Sequence, residues 1–284
     1  MSTDPLVIIG AGVMGTGIAA LALGHGMPVV LLDVSPAILD QARRRVRRSL
    51  RHGRLMGSFP ADRPDGALTT VETLGADLRP VAVIEAVTED ASTKVKTLTQ
   101  LSEFLPPGVP LITNTSSIPL SELAASLGRP AELVGVHFMN PAYLVEMTEL
   151  VRGSLTDEAT VTAATALLRS WGRRVVVVHD APGFVTSRLL HPMINEAVRL
   201  VGAGTAGVEE VDALMEGCLG HRTGPLGTAD LIGLDNLADS LRELAQRTEN
   251  PSYQPCDLLL SKVAQGHLGR KSGRGFYEYG DVLS

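Results

Sequence analysis

The sequence predicts an α/β domain followed by an all-α domain, on three observations. Short continuous apolar runs alternate with helical periodicity over the first two thirds of the chain, as in a mostly parallel sheet buried on both faces. A glycine-rich turn follows the first of those runs directly. Beyond Asp180-Ala181-Pro182-Gly183 the periodicity is helical throughout. The 284 residues suffice for one large or two ordinary domains. That boundary divides them into 1–181 and 182–284.

Leu6-Val7-Ile8-Ile9 reads as a central strand, and Gly10-Ala11-Gly12-Val13-Met14-Gly15 follows at once. A helical segment, Ile18 to Leu23, leads to a second strand, Pro28 to Leu32, which ends in Asp33. Strand, G-x-G-x-x-G, helix, strand and acid, all within about 30 residues, is a Rossmann-type dinucleotide cradle. Gly10 permits the tight turn. Gly12 lets a pyrophosphate approach the backbone, beside Met14 in the same loop. Gly15 lets helix and strand pack closely, and the helix N-terminus offers N–H groups to phosphate. Asp33 is suited to accept from ribose hydroxyls and to repel a 2′-phosphate, which favours NAD over NADP. A glycine pattern alone carries little weight; the strand, helix and acid around it carry this assignment.

Ser35-Pro36 reads as a helix start, N-cap followed by proline at the first helical position. The helix runs to about His52 and carries seven arginines within residues 43–54: Arg43, Arg44, Arg45, Arg47, Arg48, Arg51 and Arg54. It is either a solvated face or a docking surface for a phosphate-bearing or acidic partner. Residues 53–70 read as a loop or irregular hairpin. Val81–Val87 is the next strand, with Glu89 just past its end and Lys94 at the start of a helix. Ligands of doubly wound sheets sit outside the carboxyl ends of the strands, so Glu89 and Lys94 are candidates for the nicotinamide end; a surface ion pair is the alternative. Leu111–Thr113 is a further strand, followed by Asn114-Thr115-Ser116-Ser117, either a polar lining or a helix cap. Leu133–Val136 and Val175–Val178 supply more strands, with a helix over Asp157–Trp171 between them.

The chemistry is expected between Leu133 and Leu150. The run Leu133-Val134-Gly135-Val136 delivers His137 to the end of a buried strand, and Asn140-Pro141 turns the chain. Glu149 follows twelve residues after His137 inside a second apolar run. Two such strands side by side bring imidazole and carboxylate together. A carboxylate fixes the tautomer of a histidine and stabilises its protonated form, giving a general base for an alcohol. A buried histidine satisfied by a neighbouring acid is the competing reading.

The order of motifs resembles the 3-hydroxyacyl-CoA dehydrogenase family, including its short bacterial 3-hydroxybutyryl-CoA members. The matching pieces are G-A-G-V-M-G at 10–15, E-A-V-T-E at 85–89 with Lys94, N-T-S-S at 114–117, H-F-M-N-P at 137–141, Glu149, D-A-P-G-F at 180–184, G-P at 224–225, G-L-D at 233–235 and K-S-G-R-G-F-Y at 271–277. The resemblance implies that His137 takes the proton of a 3-hydroxyl, Glu149 orients His137, and Ser116 hydrogen-bonds the substrate oxygen. It implies that Asn114, Glu89 and Lys94 line the nicotinamide side and that Asn140 and Ser187 lie at the substrate. It also implies a homodimer formed through the helical domain. The chain departs from the family at Ser187, where an asparagine is usual, at Met139, where a second aromatic is usual, and at Thr223, where a small apolar residue is usual. These departures bear on the substrate more than on the chemistry.

In the second domain, helical periodicity covers Val185–Val201, Val208–Glu216, Thr228–Gln246 and Pro255–Gln265. Leu189, Leu190, Met193, Ile194, Ala197, Val198 and Val201 form an apolar stripe for core or dimer contact, and His191 and Asn195 beside it read as structural. Hydrophobic content of 44% with 20% charged residues is a globular composition. No apolar run reaches the ~20 residues that span a bilayer, so no membrane is expected. Net charge of −6 argues against nucleic acid as a partner. Two cysteines without metal-ligand spacing point to a reducing compartment and no metal, and no basic segment precedes the first strand, so a cytoplasmic protein is expected. The sequence therefore predicts NAD-dependent oxidation of an (S)-3-hydroxyacyl thioester carried by coenzyme A or an acyl carrier protein. A dehydrogenase of a free hydroxy acid and a non-catalytic dinucleotide-binding protein are the alternatives.

Overall fold

The computed structural model describes residues 4–75 and 77–280. It divides into two compact units, one ending at Asp180 and the other beginning at Ala181.

The first unit is an eight-stranded sheet flanked by helices. In chain order it contains β1 (Leu6–Ile9), α1 (Val13–Gly24), β2 (Val29–Leu32), α2 (Pro36–Leu55), β3 (Leu68–Val71), β4 (Ala82–Glu85), α3 (Ala91–Phe104), β5 (Leu111–Thr113), α4 (Leu120–Ala124), β6 (Leu133–His137), β7 (Met147–Arg152), α5 (Glu158–Ser170) and β8 (Arg174–His179). The strand order is β3-β2-β1-β4-β5-β6-β7-β8. β1 to β6 are parallel, β7 runs antiparallel to β6, and β8 is parallel to β7. The first six strands thus follow the doubly wound order 3-2-1-4-5-6. β1 and β4 are buried at every position, so β1 is a continuous apolar run and β4 is broken only by Glu85.

Three expected boundaries move. Helix α1 begins at Val13, so Met14 and Gly15 belong to its first turn. Residues 68–71, expected within or beside a loop, form β3, an edge strand that pairs with β2. Only Leu68, Thr69, Thr70 and Val71 take part; so short a half-exposed edge carries little periodicity to read. In the second unit the helix expected over Thr228–Gln246 is two helices, broken at Gly233, whose φ is +96°. That unit contains α6 (Thr186–Gly202), α7 (Val208–Leu219), α8 (Pro225–Ile232), α9 (Leu234–Thr248) and α10 (Asp257–Ala264) around a core that includes Ile194, Val198, Leu226, Leu237, Leu241 and Leu259. Two buried carboxylates organise it. Asp212 accepts from the amides of Leu226 and Gly227 at the start of α8, and from the Tyr277 hydroxyl. Asp230 accepts from the amides of Phe276 and Tyr277 and from the Tyr279 hydroxyl. The basic C-terminal motif is thereby tied to the helices. His191 donates to or accepts from Ser240 Oγ at 2.7 Å, and Asn195 bridges Gln254 O and the Cys256 amide, both structural contacts.

Helices α1 and α2 meet around one ring. Phe59 is buried and packs against Gly24 of α1 and Gly53 of α2; a Cβ on either glycine would lie 2.5 or 2.3 Å from the ring. His25 and Tyr143 stand edge-on or tilted to the same ring. Because α1 and β1 fix the glycine turn, this wedge supports the cradle. Phe59→Ala is expected to destabilise the protein by about 3–5 kcal/mol and Gly53→Ala by about 1–3 kcal/mol in urea unfolding. A loss well under 1 kcal/mol for Phe59→Ala would show that the wedge is dispensable.

Candidate active site

The parallel strands deliver their C-terminal ends to one edge of the sheet. In spatial order that edge carries Asp33 after β2, Gly10–Gly12 after β1, Glu89 after β4, Asn114–Ser117 after β5 and His137 at the end of β6. At ~4.8 Å per strand, the four steps from β2 to β6 spread these groups over roughly 19 Å. Residues far apart in sequence thus form one line across the sheet.

The three glycines of the cradle do different work. Gly10 has φ of +100°, and a Cβ there would lie 2.5 Å from Ala86 O. A Cβ on Gly15 would lie 1.8 Å from Gly10 O, so the helix can approach the turn only without one. Gly12 has nothing within 4 Å of its Cβ position: no internal packing requires glycine there, and the space faces outward. No side chain caps α1, and its first turn holds no acid. A phosphate fits such an end, where N–H groups and the positive dipole converge. Asp33 accepts from the amides of Ala11 at 3.0 Å and Ser35 at 3.1 Å, which holds its carboxylate beside the glycine turn. The residues present therefore fit a dinucleotide.

Lys94 departs from both sequence expectations. It is neither a surface ion pair nor open to a ligand; its side chain is 0% exposed. Its ammonium donates to Glu85 Oε1 at 2.8 Å and Oε2 at 3.0 Å, and lies 3.2 Å from Glu89 Oε2. Glu85, at the end of β4, also accepts from Thr113 Oγ1 and from the Val87 amide. Glu89 Oε1 gathers the polar turn after β5, accepting from Thr115 Oγ1 at 2.6 Å and from the Ser116 and Ser117 amides at 2.7 and 3.1 Å. The hydroxyls of Ser116 and Ser117 donate to the same oxygen at 3.2 and 3.3 Å. Thr115, Ser116 and Ser117 are therefore no helix cap; they are wrapped around one carboxylate, and α4 begins beyond them at Leu120. Burial alone would raise the Glu89 pKa, but the Lys94 charge and the hydrogen bonds from Thr115 and Ser116 outweigh it, and the carboxyl sits below its ordinary value.

His137 and Glu149 face each other across the antiparallel β6–β7 pair, in register. Their side chains meet at 2.9 Å between Nδ1 and Oε2, both nearly buried. Asn114 Oδ1 accepts from the Phe138 amide at 3.3 Å and ties the end of β5 to the end of β6. Asn140 is exposed in the turn after β6, and Ser187 is buried in the first turn of α6. The sequence singles out neither Glu85 as the partner of Lys94 nor Asp180 as the acceptor at the start of α4, and it offers Thr115 and Ser117 only as a polar lining. Asp180 accepts from the Leu120 and Ser121 amides at the start of α4. The one signal for Glu85 was an acid inside an otherwise apolar strand.

The chain matches the model of the 3-hydroxyacyl-CoA dehydrogenase NAD-binding domain over residues 5–181 and that of the C-terminal domain over residues 183–279. A probable 3-hydroxybutyryl-CoA dehydrogenase of Bacillus subtilis is 37% identical over the full length of both chains. The solved structure of an (S)-3-hydroxybutyryl-CoA dehydrogenase of Ralstonia eutropha superposes with a TM-score of 0.87 at 36% identity, covering 99% of this chain and 100% of that one. A solved NAD-dependent 5-formyl-3-hydroxy-2-methylpyridine 4-carboxylic acid 5-dehydrogenase has a TM-score of 0.81 at 29% identity, covering 98% of this chain and 91% of that one.

Removing Lys94 leaves Glu85 buried without its counter-charge, so Lys94→Met is expected to cost about 3–5 kcal/mol near neutral pH. The deficit should narrow on acidification. Glu89 has a depressed folded pKa, so its pairing contributes above the unfolded value of about 4.5 and is lost as pH falls through the lower folded value. Urea unfolding of both proteins across that range measures it; a deficit that grows as pH falls contradicts the reading.

Proposed function

Since the chain belongs to the 3-hydroxyacyl-CoA dehydrogenase family, we propose that it interconverts an (S)-3-hydroxyacyl thioester and the 3-ketoacyl thioester, with His137 as the base. Bound NAD supplies the hydride acceptor. Gly10, Gly12, Met14 and Gly15 hold its pyrophosphate, Asp33 its adenosine ribose, and Asn114 and Glu89 its nicotinamide side. Lys94 acts there through Glu89. His137 takes the proton of the 3-hydroxyl in oxidation and returns one to the ketone oxygen in reduction. Glu149 keeps Nδ1 engaged, so that Nε2 is the nitrogen that works, and it stabilises the imidazolium as it forms. Ser116 hydrogen-bonds the substrate oxygen, its hydroxyl hydrogen turning to it from Glu89 Oε1; Asn140 and Ser187 contact the acyl part.

What carries the proposal is the 2.9 Å contact between His137 Nδ1 and Glu149 Oε2, in register at the carboxyl edge of a dinucleotide-binding sheet. A cytoplasmic homodimer completes the reading. Leu189, Leu214 and Leu219 are more than half exposed on the helical unit, which supports self-association. Both cysteines are free, and no helix among the described residues is long and apolar enough to cross a membrane.

Coenzyme A is the first choice of carrier. An acyl carrier protein is the second, favoured by α2. Arg44, Arg47, Arg48 and Arg51 recur at i, i+3, i+4 and i+7, which places them on one side of the helix, and all are exposed. Arg43 and Arg54, in contrast, pair with Asp40 and Asp65. Four arginines with no carboxylate of their own among the described residues suit an acidic partner. Arg44→Glu with Arg47→Glu is expected to depress turnover of a hydroxyacyl-carrier-protein substrate by an order of magnitude or more while sparing a minimal thioester such as an N-acetylcysteamine ester. Equal rates on both would remove the carrier protein as a partner.

His137→Gln is expected to lower kcat by about 10²–10⁴ with NADH affinity unchanged, as for a lost general base. The assay is NADH absorbance with (S)-3-hydroxybutyryl-CoA, alongside free 3-hydroxybutyrate. Turnover of the free acid at the thioester's rate would favour a hydroxy-acid dehydrogenase. NADH binding without turnover of any thioester would favour a non-catalytic role.

A further inference from the structure

Residues 138–146 join β6 to β7, and so connect the strand of His137 to the strand of Glu149. Within this turn the Leu144 and Val145 amides both return to Pro141 O. The carbonyls of Ala142 and Val145 take their donors from outside the turn. Both come from Arg173, just before β8: its Nη1 donates to Val145 O at 2.9 Å and to Ala142 O at 3.4 Å. Its Nε donates to Trp171 O at 3.0 Å. Arg173 is 5% exposed; its hydrogen bonds go to three carbonyl oxygens, and the Glu146 carboxylate on the same turn is the opposite charge that acts on it against its burial.

Burying an ion against neutral acceptors is costly, and an apolar side chain would fill the same space without that cost. The apolar choice would leave carbonyls of the turn buried and unmet. A guanidinium is the side chain that meets several at once, since its donors are fixed in a planar fork. Its grip is reinforced from two other sides. The buried Tyr143 hydroxyl contacts His52 Nδ1 at 3.1 Å on α2, and the Arg174 amide donates to Glu146 O at 2.9 Å where β8 begins. The turn is thus fixed at Ala142, Tyr143, Val145 and Glu146.

We propose that Arg173 is a positioning residue for the reaction: its clamp on the 138–146 turn holds β6 and β7 in the register that keeps His137 against Glu149. The proposal rests on the reading of His137 as the base. A looser turn lets the imidazole drift, and misplacement by about 1 Å is enough to cost on the order of 100-fold in rate.

Arg173→Ala and Arg173→Lys in the full chain test it, by steady-state kinetics and by hydrogen exchange followed on peptides. Arg173→Ala is expected to lower kcat ~10- to 100-fold with KM for NAD unchanged. Exchange should accelerate in 138–146 while the peptides of β1 and the start of β6 keep their protection. Millimolar guanidinium should restore part of the kcat of Arg173→Ala and none in the wild type. Arg173→Lys, whose ammonium cannot span all three carbonyls, should fall between. It carries the test alone if the alanine variant does not fold. Wild-type kcat in both variants would overturn the proposal, as would exchange rising throughout the unit without rescue. A wild-type protein inert toward every hydroxyacyl thioester would instead sink the functional reading. The exchange pattern would then still decide the clamp, local loss of protection supporting it and none overturning it.

Discussion

The site depends on one reversal of strand direction. β1 to β6 run parallel, and β7 turns back along β6, so that His137 and Glu149 stand opposite each other. Side chains alternate between sheet faces, and a slip of one residue would send the carboxylate to the far face. Directly opposed residues of an antiparallel pair have Cβ atoms about 4.5–5.5 Å apart, within easy reach for an imidazole and a glutamate. A parallel crossover between the two strands would need a dozen or more residues and would set no such opposition. The short turn at 138–146 is therefore as much part of the site as the two side chains it joins.

A second constraint lies beneath the polar turn after β5. Lys94 is buried between Glu85 and Glu89, and Glu89 in turn collects Thr115, Ser116 and Ser117. Buried ions of this kind contribute little net stability compared with apolar packing. Their effect here is geometric: one carboxylate oxygen receives five donors and fixes the turn that bears Ser116. The same logic holds the Asp33 carboxylate against the Ala11 amide, beside the glycine turn.

Much of this was legible in the sequence because each piece has a local signature. The cradle is a strand, a glycine turn and an acid within one short segment. Gly10 and Gly15 stand where a Cβ would collide with backbone, as a tight turn and a closely packed helix require. His137 was legible as a polar residue at the end of an apolar run, and Glu149 as an acid inside the next one. Their contact also needed the two runs to be antiparallel neighbours, which the short turn between them made the simplest topology. The buried state of Lys94 was not legible, since periodicity says nothing of a counter-ion on a strand nine residues away. Arg173 is equally silent in sequence: it adjoins Arg174, and only the fold turns one inward and leaves the other exposed. β3 and the break at Gly233 were lost for the ordinary reason that short edge elements and single glycines carry weak local signals.

The proposed chemistry is a proton exchanged at Nε2 of an imidazole whose other nitrogen is engaged by Glu149. A crystal structure of the chain with NAD and a non-reactive 3-ketoacyl thioester tests it most directly. The 3-keto oxygen is expected within hydrogen-bond distance of His137 Nε2 and of Ser116 Oγ, with C3 beneath the nicotinamide C4. A thioester seated with its 3-oxygen away from His137, or a His137 ring turned from Glu149 in that complex, would contradict it.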